Sequence, residues 1–328
     1  MPSVSVIILN WNGRSYLDDC LGSLASQSFR DFEVVLLDNG SADRSADYVR
    51  ARYPWVRLVE LPANAGFAGG NNRALAFCRG EYLVTLNNDT RVATDFLQAL
   101  VAAAAAHPRA GMVAAKMLNF SDGRTIDSVG IRPGRDGMAY NVGVGEADRG
   151  QYDRSGAVFG PCAGAALYRR ALLDDVGFFD EDFFAYYEDV DLAWRARLAG
   201  WEAVAAPRAV VYHVHSGTSG RGSPFTVYHI HRNKWFTLLK NWPTALLWRQ
   251  GPRIILYDVA ALALAALRGR GMAALRARLD VVRHLGALRA KRKSVQAGRR
   301  VGDRAAAAWL SHGGRPHRTL WRKWREAR

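Results

Sequence analysis

Cysteine is scarce in this sequence, and its few cysteines are not arranged to form a metal site or a disulfide framework. The 328 residues include three cysteines, Cys20, Cys78 and Cys162, and none belongs to a CxxC pair. An odd, scattered set of this kind argues against disulfides and zinc and is typical of a reducing compartment. The opening stretch MPSVSVIILNWNG also lacks a basic segment before its apolar residues. We therefore expect a first β-strand there and not a signal peptide.

Long apolar runs are missing as well. The most apolar late segment, IILYDVAALALAAL, spans residues 254–267 and contains Asp258. It is shorter than the roughly 20 residues that a membrane-spanning helix needs. Arg249, Pro252 and Arg253 are expected to prevent its extension upstream. The segment is therefore predicted to be an interfacial amphipathic helix. The stretch Met272 to Lys291 that follows is also amphipathic.

Acidic residues are rare in the C-terminal third. From Ser216 onward there are 24 Lys and Arg against 4 Asp and Glu, which leaves 21 against 26 in the preceding part. A basic segment of this kind seeks an anionic surface, either phospholipid headgroups or nucleic acid. The basic residues alternate with Ala and Leu and form no nucleic-acid-binding motif. We expect a peripheral protein on the cytoplasmic face of the cell membrane, with no nucleic acid partner and with nucleic acid binding as the alternative.

The first two hundred residues alternate short apolar runs with amphipathic ones. VSVIILN, EVVLLD, VRLVEL and EYLVTLN are strand-like, and helical spacing lies between them. This pattern predicts an α/β fold, a mostly parallel sheet with helices on both faces. Ligands of such sheets bind at the carboxyl ends of the strands, where this sequence places polar residues: Asn10, Asn12, Asp38, Asn39 and 87–89.

Two of these polar segments are suited to a nucleotide. Asp38 can accept hydrogen bonds from a base or a ribose, or it can cap an Asx turn. In NAGFAGGNN, residues 64–72, glycines allow close approach of a ligand, and a helix expected to begin at about Asn71 would direct its N–H groups there. A tight strand-to-helix turn is the alternative. The spacing matches neither GxGxxG nor a P-loop.

Acidic and imidazole side chains supply the chemistry. Asp89, in LNNDT, is suited to hold Mg²⁺ or Mn²⁺ beside a diphosphate, or it closes an Asx turn. His213 and His215 lie on one face of a predicted strand, where one of them would ligate the same metal or have a structural role. Three acids crowd the start of a helix expected at 188–200, which raises carboxyl pKa values and suits a general base. Because Asp191 can pair with Arg195, Asp189 is the freer candidate, whereas Asp180, Glu181 and Asp182 are interpreted as solvated surface.

Together these segments resemble the family 2 glycosyltransferases, specifically the bacterial rhamnosyltransferase-like group. The matching pieces are VSVIILNWNG, LLDNGS, NAGFAGGNN, LNNDT, GPCAGAALYRR, YYEDVDLAWRARLAGW and VYHVHSGTS, over roughly residues 3 to 219. The resemblance implies a GT-A fold, a UDP- or dTDP-linked sugar donor, a divalent metal and inversion at the anomeric carbon. It also implies a lipid-linked or polysaccharide acceptor in surface glycan assembly. A nucleotidyltransferase of similar fold is the nearer alternative.

The resemblance also assigns roles by position. Asp189 matches the catalytic base, and Asp89 fills the metal position of the DXD-type motif, with Asn87 where many members have the first Asp. The expected metal ligands are Asp89 and His213, and the expected acceptor contacts are Glu188, Asp191 and Arg195. The expected donor contacts are Asn10, Asn12, Asp38, Asn39, Asn64, Gly66, Gly69, Asn71 and Asn88. Residues 1–240 are predicted to form the glycosyltransferase domain and residues 241–328 a basic helical extension.

Overall fold

A computed structural model describes residues 1–214 and 222–311 of the chain. The strands are β1 (Val4–Asn10), β2 (Phe32–Asp38), β3 (Arg57–Glu60), β4 (Tyr82–Asn87), β5 (Thr90–Val92), β6 (Ala110–Asn119), β7 (Ile126–Ser128), β8 (Ile131–Pro133), β9 (Ala139–Asn141), β10 (Ala165–Arg169) and β11 (Glu202–His213). The helices are α1 (Leu17–Ala25), α2 (Ser45–Arg52), α3 (Gly66–Leu75), α4 (Phe96–Ala106), α5 (Arg170–Val176), α6 (Glu188–Leu198), α7 (Pro224–Asn241), α8 (Thr244–Leu267), α9 (Gly271–Arg283), α10 (Leu285–Ala297) and α11 (Asp303–Ala308). Single 3₁₀ turns lie at Arg14–Tyr16 and Glu181–Phe183.

The main sheet has the strand order β3-β2-β1-β4-β10-β6-β11-β5. Strands β1, β2, β3 and β4 are parallel to one another. Strand β10 is antiparallel to both of its neighbours, β4 and β6, and β11 is parallel to β6. The carboxyl ends of β1, β2, β4, β6 and β11 therefore meet at one edge of the sheet. This confirms the predicted mostly parallel α/β sheet, and it brings together the polar residues that end those strands.

Both faces of the sheet are covered by helices, as predicted. Ile7 of β1 belongs to a core on the face that α3 and α6 cover. The neighbouring Val6 and Ile8 point to the other face and pack with α1, α2 and α4. Because successive strand residues alternate between faces, an almost continuous apolar run such as VSVIILN is what a doubly covered strand requires.

Several helix boundaries differ from the sequence prediction. Helix α3 begins at Gly66 and not near Asn71, and α8 begins at Thr244 and continues through Pro252. Pro252 is exposed on α8, and buried residues on either side of it, Leu246 and Ile254, hold the helix against the protein. That packing outweighs the one backbone hydrogen bond that a proline removes. Most of the loop predicted at residues 216–223, and His215, lie outside the described residues.

The C-terminal helices are joined to the preceding part by ion pairs, and those of Lys240 are buried. Lys240 at the end of α7 contacts both Asp180 and Asp191, and Lys291 of α10 contacts Asp180 and Asp182. Although burial opposes it, these ammonium groups lower the pKa of Asp180 to about 2. The interpretation of Asp180 as solvated surface is therefore wrong, since its side chain is 10% exposed. The boundary at residues 240/241 stays a prediction.

Candidate active site

The carboxyl ends of β1 and β2 carry a connected polar network. Asn10 donates to the Asp38 carboxylate at 3.0 Å, and Asn88 donates to the side-chain oxygen of Asn10 at 2.8 Å. The second Asp38 oxygen accepts from the backbone N–H of Ser41 at 3.0 Å, so the Asx turn considered for Asp38 is present. Asn12, in the left-handed region at φ 52°, accepts from the N–H of Ala42. The network holds Asp38 at the sheet edge, and its contact with a nucleobase stays a prediction.

Asn39 and Asn64 organise the adjoining loop. The Asn39 amide donates to Asn64 at 2.9 Å, and Asn64 accepts from the N–H of Gly66 at 2.8 Å. Gly66 has φ +75°, and a Cβ there would lie 2.5 Å from the ring of Phe184. Glycine is thus required at Gly66 by a contact inside the protein as well as by the turn.

The predicted ligand-facing role of the second half of this segment does not match the structure. Helix α3 begins at Gly66. Gly69 and Asn71 therefore lie inside the helix and not at its amino terminus. Asn71 is buried, and its amide donates to the carbonyl of Phe67 at 2.9 Å. The N–H of Ala68 in the first turn donates to the carbonyl of Phe184 at 3.0 Å. This end of α3 therefore holds the loop that precedes α6.

Asp89 and His213 face each other across the sheet edge. Asp89 Oδ1 lies 3.3 Å from His213 Nε2, and Asp127 Oδ2 lies 2.6 Å from His213 Nδ1. A carboxylate on one ring nitrogen orients the other toward a metal in many metalloproteins. Burial disfavours the imidazolium, yet hydrogen bonds from Asp127 and Asp89 raise the pKa of His213 to about 9.

The pair fits two adjacent positions of a divalent metal. Ligand atoms in neighbouring octahedral positions about 2.1 Å from Mg²⁺ are about 3.0 Å apart, close to the 3.3 Å between Asp89 and His213. Within residues 1–214 and 222–311, no group of three or more His, Cys, Asp or Glu is arranged as a metal cage. Sites that hold Mg²⁺ with few protein ligands use substrate phosphates and water for the remaining positions. Asp127 was not a candidate from the sequence, because its role depends on a contact with His213 of β11, which is far away in the chain.

Glu188 and Asp189 begin α6, as predicted. Asp189 is half-buried and accepts from the N–H of Ala163 at 3.1 Å. Glu188 is buried, and its Oε2 has no hydrogen-bond partner among the described residues. Burial raises the pKa of both carboxyls, and the charge of Asp189 raises that of Glu188 further. The more accessible carboxylate is Asp189.

In space, the segment formed by Ala163 and Gly164 lies between Asp189 and the end of β4. The N–H of Ala163 donates to Asp189, and the carbonyl of Gly164 accepts from the N–H of Asn87 at 2.9 Å. Asn87 is two residues from Asp89 and its amide lies 3.2 Å from His213 Nε2. The candidate base and the candidate metal ligands therefore flank one site.

The predicted pairing of Asp191 with Arg195 is confirmed, at 2.8 Å. Asp191 is fully buried and also contacts Lys240 and Asn241. Burial raises its pKa, but Lys240 and Arg195 more than offset this and hold the pKa of Asp191 below its ordinary value. This position contradicts the predicted acceptor contact for Asp191 and Arg195, because both side chains are committed to an internal network that joins α6 to α7.

The loop before α6 is held in an unusual conformation. Phe184, Tyr186 and Tyr187 all have positive φ, between 61° and 72°. The buried amide of Asn233 lies 2.7 to 2.8 Å from the carbonyls of Phe183, Ala185 and Tyr186. Non-glycine residues persist in this region of φ only when their surroundings hold them.

Arg232 supports the same loop. Its guanidinium donates to the carbonyl of Asp182 at 2.6 Å and to that of Phe183 at 3.2 Å. Nothing in the sequence HRNKW, residues 231–235, indicates this role. Its function in orienting the start of α6 could be recognised only once the contacts between α7 and residues 182–186 were known.

The fold is that of solved nucleotide-sugar transferases. The structure is similar to that of S. aureus TarS 1-349 in complex with UDP-GlcNAc, with a TM-score of 0.60 and 20% identity. The alignment covers 90% of this chain and 89% of that one. The mannosyltransferase PcManGT from Pyrobaculum calidifontis, in complex with GDP-Man and Mn²⁺, has a TM-score of 0.56 at 21% identity over 94% of this chain and 86% of that one. These likenesses confirm the predicted GT-A fold.

The chain belongs to glycosyl transferase family 2, whose family model matches residues 5–177. It is 31% identical over 238 residues to the N-acetylglucosaminyl-diphospho-decaprenol L-rhamnosyltransferase of Mycobacterium tuberculosis, covering 66% of this chain and 77% of that protein. It is also 24% identical to the poly-beta-1,6-N-acetyl-D-glucosamine synthase of Staphylococcus epidermidis over 67% of this chain and 52% of that protein. The prediction that the chain is a glycosyltransferase is confirmed.

Proposed function

We propose that this glycosyltransferase moves a sugar, with inversion, from a UDP- or dTDP-linked donor to a hydroxyl of a lipid-linked acceptor in surface glycan assembly. Rhamnose is the proposed sugar, since a rhamnosyltransferase is among the relatives at 31% identity. The observation that carries the proposal is the short chain of contacts from Asp189 to the Asp89 and His213 pair, which runs through Ala163, Gly164 and Asn87.

Asp189 is the proposed base. Its carboxylate takes the proton of the acceptor hydroxyl as that oxygen bonds to C1 of the donor sugar and the bond from C1 to the diphosphate breaks. One displacement through an oxocarbenium-like transition state requires a base and no enzyme nucleophile, and it inverts the anomeric centre. The N–H groups of Ala163 and Val190 orient the carboxylate at 3.1 and 2.7 Å.

The donor is proposed to lie along the carboxyl ends of β1, β2 and β4. Asn10, Asp38 and Asn88 form a network there, and Asn39 and Asn64 shape the adjoining loop. Asp89 and His213 would hold Mg²⁺ or Mn²⁺. A divalent metal bound there neutralises the charge that develops on the leaving diphosphate.

The C-terminal helices support attachment to a membrane surface. Helix α8 presents an exposed apolar stripe at helical spacing, formed by Trp248, Pro252, Ile255, Val259, Ala263 and Leu267. Helix α9 beside it exposes Met272, Leu275, Leu279 and Val282. Apolar faces of this size, bordered by arginines, are typical of helices that lie in a lipid interface. We therefore propose a peripheral protein at an anionic, cytoplasmic membrane surface.

Helix α8 is proposed to lie in the membrane plane and not to span it. Among residues 1–214 and 222–311, it is the helix whose length and mean hydropathy would allow a span. Its inner face, however, carries Asp258, which is paired with Lys234 and Arg278 from α7 and α9. These pairs fix one face of α8 on the protein and leave the opposite face for lipid.

A donor screen tests this proposal. Release of nucleoside diphosphate is measured with UDP- and dTDP-linked sugars, with and without Mn²⁺, and with N-acetylglucosaminyl-diphospho-lipid as acceptor. Acceptor-dependent release that requires Mn²⁺, with inversion of the anomeric carbon seen by NMR, is the expected result. In a parallel reaction with a nucleoside triphosphate and a sugar 1-phosphate, formation of a nucleotide-sugar and pyrophosphate would favour a nucleotidyltransferase. In the donor screen, a retained anomeric configuration would contradict the single displacement.

A further inference from the structure

A cavity of about 430 Å³ lies between α7 and α8, close to the loop that precedes α6. Its walls are largely apolar and include Met138, Val227, Ile230, Ala261 and Leu264. Lys234 also lines the cavity, but it is 2% exposed and paired with Asp258. The walls therefore suit an apolar ligand.

Two contacts connect the cavity to the proposed catalytic site. Met138 Sδ lies 3.5 Å from the hydroxyl of Tyr187, and Thr226 Oγ1 lies 3.3 Å from the hydroxyl of Tyr186. Met138 and Thr226 both line the cavity. Tyr187 directly precedes Glu188 and Asp189 in the chain, so the cavity borders the loop that leads to the proposed base.

The cavity also has a basic margin. Arg268 and Arg270, in the turn between α8 and α9, line it together with the apolar residues. Arginine is well suited to bind phosphate groups through charged hydrogen bonds. A ligand that fits both the walls and this margin carries an apolar chain and a phosphate or diphosphate.

The position of α8 connects the cavity to a lipid source. Ala261 and Leu264 line the cavity, while Val259, Ala263 and Leu267 on the same helix belong to the exposed apolar stripe. One helix thus separates the cavity from the surface proposed to contact the membrane.

We propose that the cavity between α7 and α8 binds the isoprenoid chain and the diphosphate of the lipid-linked acceptor. The inference rests on the proposed function and names the part of the acceptor that the cavity takes. Arg268 and Arg270 bind the diphosphate, and the apolar walls bind the proximal part of the chain.

Direct binding of geranylgeranyl diphosphate tests the site. Titration calorimetry compares the full-length wild type with Ala261→Trp, which fills the cavity, and with the matched variant Ala263→Trp on the exposed stripe. Ala261→Trp is expected to weaken binding at least about tenfold. A loss of this size results when two methylene groups of the lipid chain are no longer buried in the cavity. Ala263→Trp is expected to bind as the wild type does. Geranylgeraniol and inorganic pyrophosphate are each expected to bind more weakly than the diphosphate lipid.

Two further variants keep the test decisive. Leu264→Gln replaces an apolar wall residue without adding bulk, and Arg270→Glu reverses a charge at the margin; both are expected to weaken binding of the diphosphate lipid while the melting temperature is retained. Wild-type affinity in both Ala261→Trp and Leu264→Gln would overturn the proposal. Absence of binding to the wild type would also overturn it, while sugar transfer to a short-chain acceptor would leave the proposed glycosyl transfer intact.

Discussion

At the scale of single residues, burial decides which of several similar side chains is available for chemistry. Three carboxylates lie within four positions at the start of α6, yet Asp191 is fully buried with Arg195 and Lys240, and Glu188 is buried. Asp189 is half-buried and lies beside Ala163. The sequence predicted the pairing of Asp191 with Arg195 because helical spacing places them together. It could not show that Lys240, about fifty residues away, completes the same network.

The pH dependence of the reaction is predicted from Asp189. Burial raises its pKa above the ordinary 3.8, although the Ala163 and Val190 N–H groups oppose the shift. A base acts only when deprotonated, so kcat/KM is expected to be full above the raised pKa and to fall as the pH drops through it. A pH profile of kcat/KM checks this, with Asp174→Asn, an exposed carboxylate, as control. A profile that stays flat down to pH 4 would contradict the prediction.

Asp127 is predicted to act on metal affinity through His213. Its carboxylate lies 2.6 Å from His213 Nδ1, and loss of such a partner usually weakens metal binding about 10- to 100-fold. Asp127→Asn is therefore expected to raise the Mn²⁺ concentration that gives half-maximal activity, with kcat largely restored at saturating Mn²⁺. Asp174→Asn serves as the matched control. An unchanged Mn²⁺ requirement would show that His213 does not depend on Asp127.

At the scale of elements, the sequence predicted the strands better than the glycine-rich segment. VSVIILN is apolar throughout because both faces of β1 are covered, and the polar residue that ends it marks the carboxyl edge. In NAGFAGGNN, glycines indicated a loop before Asn71, since glycine is a poor helix former. The helix instead begins at Gly66, whose N–H donates to the Asn64 side chain and whose close contact with Phe184 requires a glycine. Such a contact between distant segments leaves no periodic signal in the sequence.

Asn233 is predicted to hold the loop between Phe183 and Tyr187. Asn233→Ala leaves the carbonyls of Ala185 and Tyr186 without this donor, while the carbonyl of Phe183 keeps its contact with Arg232. Each buried group left unpaired costs about 1–3 kcal/mol. We expect a lower melting temperature and a fall in kcat, with nucleotide affinity retained because the donor contacts are proposed on β1, β2 and β4. Thermal unfolding, nucleotide titration and kinetics check this, with exposed Ser294→Ala as control. Unchanged kcat in a folded Asn233→Ala protein would contradict the orienting role of the loop.

At the scale of the whole molecule, the basic residues of the C-terminal part fall into two groups, those paired inside the protein and those exposed on its surface. Lys234, Lys240, Arg278 and Lys291 pair with carboxylates inside the protein. Others, such as Arg276 and Arg283, are exposed beside the apolar face of α9. The charge count of the sequence could not separate these two groups. Removing everything after Trp242 would break the internal pairs, so point substitutions are the sounder test of membrane attachment.

Membrane attachment is predicted to depend on the exposed stripe of α8. The double variant Ile255→Glu and Val259→Glu places charges on the stripe where the two side chains are 58% and 61% exposed. Because neither side chain is part of the core, the fold is expected to be retained while sedimentation with anionic liposomes is lost. Trp55→Glu, an exposed aromatic outside these helices, is the control. Undiminished liposome binding by the double variant would refute the proposed surface, and equal binding to duplex DNA would favour the nucleic acid alternative.

The most direct test of the central claim is the turnover of Asp189→Asn. Asparagine keeps the size and shape of the side chain but cannot accept the proton, so kcat is expected to fall by about 10² to 10⁴ or more. Nucleotide affinity is expected to be retained, because the donor contacts are proposed at Asp38 and Asp89, and Glu188→Gln is expected to have the milder effect. Near-normal turnover of Asp189→Asn together with an inactive Glu188→Gln would contradict the account and move the base one residue upstream.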